Sequence, residues 1–191
     1  MGLFAIVVTL VWCGARTDAQ QQTKIPRIGF LSANSPSTIQ ARIEAFRQGL
    51  RQLGYEEGKN IVIEWRSAEG KLDRLPALAA ELVRNKVDIL VVRNSEGARA
   101  AKNATKTIPI IMVGVGIDPV ETGLIESFAR PGGNITGFTD FGVETAGKRL
   151  ELFKETVPNA VRVAILYDAT NRSNFLTVKE VQTAARPLRV T

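Results

Sequence analysis

From Lys24 onward, short β-branched apolar runs alternate with longer stretches whose apolar positions recur every three or four residues. The first pattern marks strands covered by other layers and the second marks amphipathic helices, so the order predicts an α/β fold with a parallel sheet. The first strand is Arg27 to Leu31. A polar turn, Ser32-Ala33-Asn34-Ser35-Pro36, leads into a helix whose stripe is Ile39, Ile43, Phe46, Leu50 and Leu53. Ser35 is placed to cap that helix, with Pro36 in its first turn and Gly54 closing it.

The pattern then repeats. Asn60 to Trp65 reads as the second strand, followed by a helix carrying Leu75, Leu78, Ala79, Leu82 and Val83. Val87 to Val92 is nearly all apolar, as a strand buried on both faces should be. An Ala-rich helix from about Glu96 to Thr105, a strand from Pro109 to Gly114 and a helix from about Pro119 to Ala129 follow. At Arg130-Pro131-Gly132-Gly133-Asn134 the pattern breaks, and Pro with adjacent Gly marks a domain boundary. Beyond it come a short strand, Ile135 to Phe138, and a helix with Val143, Ala146, Leu150, Phe153 and Val157. A strand from Val161 to Tyr167 and a helix from about Asn174 to Arg186 end the chain. The expected organisation is a first lobe over 24–133 and the start of a second over 134–191. That start is too small to bury its own faces, so the second lobe is expected to be incomplete.

Composition narrows the chemistry. The chain is 45% hydrophobic and 23% charged, an ordinary globular balance. Its net charge is +6, but the Lys and Arg residues are interspersed with Glu and Asp on predicted helix faces. With only 6% aromatic residues and no nucleic-acid motif, a solvated surface is expected and no nucleic-acid partner. There is no His, and Cys13 is the single Cys. That removes His-based acid–base chemistry, Ser-His-Asp triads and Cys/His zinc sites. No G-x-G-x-x-G follows the first strand and no P-loop motif is present, so no cofactor and no enzyme activity are expected.

The run Leu3 to Trp12 is too short to span a bilayer, which needs roughly 20 apolar residues. Followed by Thr17-Asp18-Ala19, it predicts a signal peptide over 1–19 and a periplasmic mature chain. The bulky Trp12 argues against a lipid anchor at Cys13.

In an open parallel sheet, ligands bind beyond the carboxyl ends of the strands, where helix N-termini present unpaired amides. The loops there are Ser32-Ala33-Asn34-Ser35, Arg93-Asn94-Ser95-Glu96, Gly116-Ile117-Asp118 and, in the second lobe, Asp168 to Asn174. The candidate ligand-binding residues are Ser32, Asn34, Ser35, Asn94, Ser95 and Asp118, with Asn171, Ser173 and Asn174 from the second lobe. The same residue types before helices are also ordinary caps. The candidates therefore rest on four such loops sharing one rim.

Several strings carry a family likeness: Ala45-Phe46-Arg47-Gln48-Gly49-Leu50-Arg51-Gln52-Leu53-Gly54-Tyr55, Asp118-Pro119-Val120, Ala129-Arg130-Pro131-Gly132-Gly133-Asn134-Ile135-Thr136-Gly137 and Lys148-Arg149-Leu150-Glu151-Leu152. Together they resemble the ABC transporter substrate-binding proteins related to tryptophan and aromatic amino acid importers, over about Lys24 to Val190. The resemblance implies a type I periplasmic-binding-protein fold, two Rossmann-like lobes closing about a hinge on a small polar solute. It also implies an ABC permease with its ATPase as partners. Relatives carry a Thr-Pro-Ala-Ala-like stretch after the third strand, where this chain has Asn94-Ser95-Glu96-Gly97. The resemblance leaves an amino acid among the candidate solutes, and the negative charge of Glu96 at that helix start counts against a simple one. The competing function is a sensor domain of a regulatory protein with the same fold, which would carry a helix-turn-helix where this chain has its apolar leader.

Overall fold

The computed structural model describes residues 24–168 and 172–191. The expected signal peptide, Cys13 and Asn171 lie outside them. Strands β1 (Arg27–Ser32), β2 (Val62–Ser67), β3 (Ile89–Arg93), β4 (Ile110–Val115) and β5 (Ile135–Thr139) form one parallel sheet in the order β2-β1-β3-β4-β5. The helices are α1 (Gln40–Gln52), α2 (Leu75–Arg84), α3 (Ser95–Ala104), α4 (Ala146–Thr156) and α5 (Arg172–Ala185).

Alternation along the strands sorts side chains onto two faces. Leu31, Leu90, Val92, Ile110 and Met112 pack with Leu75, Ala79 and Leu82 of α2 and Ala98 and Ala101 of α3. Ile28, Phe30, Ile63 and Val91 face Ile43, Phe46 and Leu50 of α1. The central strand β3 is thus covered on both sides, which is why its sequence is almost uniformly apolar.

The structure departs from the sequence pattern in six places. Strand β2 begins two residues later than Asn60, because that side chain accepts from the Glu56 amide (2.7 Å) and donates to the Gly54 carbonyl (2.8 Å), holding Asn60 in the preceding turn. Leu53 is 75% exposed, so the α1 stripe ends at Leu50. Ser35 does not cap the helix through its side chain: its hydroxyl pairs with those of Ser37 (3.0 Å) and Thr38 (2.8 Å) beside the 3-10 turn Pro36–Ile39. Gly54 does close α1, at φ +83° with its amide on the Arg51 carbonyl. Pro119 to Ala129 is not a helix. One turn held by the Asp118 carboxylate ends at Gly123 (φ +67°), and Leu124 and Ile125 drop into the core.

The remaining departures concern the expected second lobe. Ile135–Thr139 hydrogen-bonds to β4, so this strand completes the first sheet instead of opening a new one. Val161 to Tyr167 forms no strand. Among the described residues its backbone pairs only with Thr191 (2.8 and 2.9 Å), and a strand without a ladder does not persist. Helices α4 and α5 pack on each other alongside it.

Candidate functional site

Because all five strands run parallel, the loops at their carboxyl ends lie along one rim. At its centre β3 hands over to α3. Asn94 is the N-cap: its side-chain oxygen accepts from the Gly97 amide at 2.9 Å, and its carbonyl accepts from Ala98 at 3.1 Å. The amides of Ser95 and Glu96 have no intrahelical acceptor, as in any first turn. Ser95 is only 7% exposed, and its hydroxyl, shut off from solvent, has no hydrogen-bond partner among the described residues. A buried hydroxyl left unpaired is uncommon and calls for a reason.

Arg93, at the end of β3, donates to the Asn34 side-chain oxygen at 2.9 Å. Burial, then the neighbouring Arg42, pushes its guanidinium below the ordinary value, and Asp140 opposes the shift. A guanidinium remains charged regardless. No carboxylate of the described residues comes within ion-pair distance of it, so this half-buried cation lacks a close counter-charge.

These groups open onto a cavity of about 330 Å³. One wall comes from the first sheet, with Asn34, Arg93, Asn94, Ser95 and Glu96. The facing wall is Asp140, just after β5, with Arg149 of α4 and Ser173, Asn174 and Thr177 of α5. Gly116 sits where the walls meet: a Cβ there would stand 2.7 Å from the Ser173 hydroxyl. Two guanidiniums and two carboxylates give the cavity a balanced charge, suited to a solute carrying both signs. Among the described residues no cluster of acidic, His or Cys side chains forms a metal site.

Of the residues expected from sequence, Asn34, Asn94, Ser95, Ser173 and Asn174 line this cavity together. Ser32 lies beneath it, its hydroxyl accepting from the Asn34 amide (3.1 Å) and donating to the Asn34 carbonyl (3.2 Å), so it shapes the loop. Ser35 stands outside, tied to Ser37 and Thr38. Asp118 is also outside, its carboxylate accepting from the Val120 (2.7 Å) and Glu121 (3.3 Å) amides as a turn cap. Sequence reasoning missed Arg93, Asp140, Arg149 and Thr177. Arg93 sat in a named loop but reads as a surface cation. Asp140 became findable only once β5 was known to belong to the first sheet.

The chain matches the family model of the ABC transporter substrate binding protein over residues 28–190. A curated relative, a tyrosine-binding protein of Clostridioides difficile, is 32% identical over 90% of this chain and 48% of its own length. The chain therefore spans about half the length of the curated relative it matches. Among solved structures, a conserved domain protein from Vibrio cholerae is 28% identical with a TM-score of 0.75, covering 88% of this chain and 56% of that one. An ABC domain from Streptococcus pneumoniae, solved in complex with L-Trp, is 26% identical with a TM-score of 0.71, covering 87% and 55%. The sheet order, the rim of strand-end loops and these matches agree on a type I periplasmic-binding-protein fold, and the chain belongs to the family of ABC transporter substrate-binding proteins.

Proposed function

We propose that this chain captures an α-amino acid in the cavity between the β3–α3 rim and α4–α5, as the extracytoplasmic solute-binding component of an ABC importer. The observation that carries the reading is the buried Ser95 hydroxyl, without a partner among the described residues, beside Arg93, which has no carboxylate of the described residues within ion-pair distance. A carboxylate placed there would take hydrogen bonds from Ser95, from the first-turn amides of α3 and from the Arg93 guanidinium. An ammonium group on the same carbon would face Asp140 and Glu96. Glu96, whose charge at the helix start counted against a simple amino acid, thus becomes the partner of the solute's positive end. The names of the relatives, a tyrosine-binding protein and a domain holding L-Trp, point to the same solute class.

No bond is made or broken; capture works by closure of two lobes about a hinge, and release passes the solute to a permease driven by its ATPase. Export by the leader over 1–19 would place the protein in the periplasm, and among the described residues no helix is long and apolar enough to cross a membrane. In this reading the chain crosses to the second lobe after Thr139, which the membership of β5 in the first sheet supports.

Isothermal titration of the purified chain tests the head-group reading with L-tyrosine, with tyramine, which lacks the carboxylate, and with 3-(4-hydroxyphenyl)propionate, which lacks the amine. Each lost polar contact is worth about 1–3 kcal/mol, so each analogue should bind at least tenfold more weakly. Ser95→Ala should weaken L-tyrosine similarly. Equal binding of all three compounds, or unchanged affinity in both Ser95→Ala and Arg93→Gln, would remove the site.

A further inference from the structure

The sheet ends on one side at β2, which pairs only with β1. The amides of Val62 and Ala68 bond to the Pro26 and Ser32 carbonyls, both at 2.9 Å. Alternation then turns the backbone groups of Ile63, Trp65 and Ser67 outward, away from β1. Just before them the Ile61 carbonyl is taken by the Gly58 amide at 2.9 Å. From Ile63 onward the outward groups have no backbone partner among the described residues, and only the Arg66 guanidinium reaches the Trp65 carbonyl, at 3.0 Å. An open edge of this kind is a template for another strand.

The edge is complementary to itself. When two copies pair antiparallel about a two-fold axis, residues equally far from the axis stand opposite each other. Outward groups must meet outward groups, so the axis passes through a residue and not between two. At Glu64 or at Arg66 it would set like charges against each other. At Trp65 it sets Glu64 against the partner's Arg66, and Ile63 against the partner's Ser67. Nearer either end the strand runs out, at the Ile61 turn or beyond Ser67. Opposite charges across a strand pair favour a register and like charges oppose it, so one register is selected.

Helix α1 leads to the same axis. Gln40, Glu44, Arg47 and Arg51 recur at intervals of four, three and four residues on the flank beside this edge. Arg47 stands over the Trp65 ring, 5.0 Å from its centroid. Glu44 lies on the Ser67 side of that point and Arg51 on the Ile63 side. The axis through Trp65 therefore also brings Glu44 toward the partner's Arg51. The Glu44 side chain is 55% exposed, and Arg51 makes no ion pair among the described residues.

We infer that two copies of this chain join antiparallel through β2 about a two-fold axis at Trp65, with α1 beside the partner's α1. The product is one continuous sheet of ten strands, five from each copy. Ladder bonds from Ile63, Trp65 and Ser67 supply the attraction, and the charges on β2 and α1 set the register. The inference stands apart from the solute reading, because β2 is the edge opposite β5.

The test uses the chain carrying Val161→Lys and Leu166→Lys, so that the exposed apolar segment there takes no part in association. Sedimentation equilibrium should find monomer and dimer. Raising the concentration should slow amide exchange severalfold at Ile63, Trp65 and Ser67, the outward positions, relative to the dilute protein. Glu44→Lys should weaken the dimer about tenfold, since the axis repeats the change on both sides, and Arg51→Glu should do the same. The two together exchange the charges and should restore the parent affinity. Both residues are exposed on α1, so the unfolding midpoint should not move. Monomer at every concentration overturns the inference, as does outward-amide exchange that ignores concentration. A dimer unmoved by either single variant, or not restored by the pair, uses another surface and overturns it too.

Discussion

Asn94 holds φ +72° and ψ 166°, a region that residues other than glycine enter at a cost of about 1–3 kcal/mol. Its side chain recovers part of that cost by capping the Gly97 amide, and the conformation turns Ser95 and the start of α3 toward the cavity. The two effects separate by mutation. Asn94→Ala keeps the strain and loses the cap, and should lower stability by about 1–2 kcal/mol in urea unfolding. Asn94→Gly loses the cap but releases the strain, and should unfold at or above the parent midpoint. A glycine variant as unstable as the alanine one would mean that the backbone here is unstrained. From sequence, Asn94 and Ser95 were visible as candidates because small polar residues at a strand end read the same whether they cap or bind. Arg93 was not visible, since only burial and the missing carboxylate distinguish it from a surface cation.

At the scale of elements, the sheet is held at its two edges by different means. On the β2 side Glu64, 11% exposed at its side chain, accepts from Arg27, Arg66 and Asn85. Arg27 foremost, with Asn85 and Arg66 adding to it against the opposing effect of burial, holds the Glu64 carboxyl below its ordinary value of 4.5. The unfolded chain therefore takes up this proton first as pH falls. Stability from this group is complete above about 4.5 and drains away as pH drops through the lower folded value. Glu64→Gln should flatten the acid limb of a plot of melting temperature against pH without abolishing it, because Asp88, held low by Lys24 and the Arg27 amide, titrates in the same direction. A limb of unchanged slope would exclude Glu64 as a contributor. On the β5 side Gly137 has φ +144°, and a Cβ there would come within 2.0 Å of the Met112 carbonyl oxygen. Backbone cannot give way as a side chain tip can, so Gly137→Ala should cost about 2–4 kcal/mol and part β5 from β4. Amide exchange should show the loss confined first to Ile135–Thr139; a fully protected β5 in that variant would contradict the contact.

Across the whole molecule, the two halves differ in how far their apolar surface is covered. Residues 24–139 contain a sheet covered by helices on both faces, whereas Val161 to Tyr167 lies open, with Leu166 fully exposed and Val161 at 61%. Backbone without ladder bonds is cut readily, and contiguous apolar surface associates. Limited proteolysis should therefore cleave first between Pro158 and Asp168 while a fragment covering β1 to β5 persists. The purified chain should self-associate as its concentration rises, and Leu166→Lys with Val161→Lys should shift sedimentation toward monomer. Uniform resistance along the chain, or association unaffected by the double variant, would show that this surface is covered in solution.

Periodicity and turn chemistry by themselves determined the α/β class, the parallel order of strand and helix, and the rim that carries Asn34, Asn94 and Ser95. Those features follow from local rules: alternation sets strand faces, the 3.6-residue period sets helix faces, and parallel strands bring their carboxyl-end loops to one side. Only the tertiary structure decided which sheet Ile135–Thr139 joins, that Val161 to Tyr167 lacks a ladder, and that Asp118 caps a turn while Asp140 faces the cavity. Each of those outcomes depends on a partner distant in the chain. A strand exists by virtue of its neighbour, and an aspartate caps or lines a site according to which amides and cations the fold brings beside it.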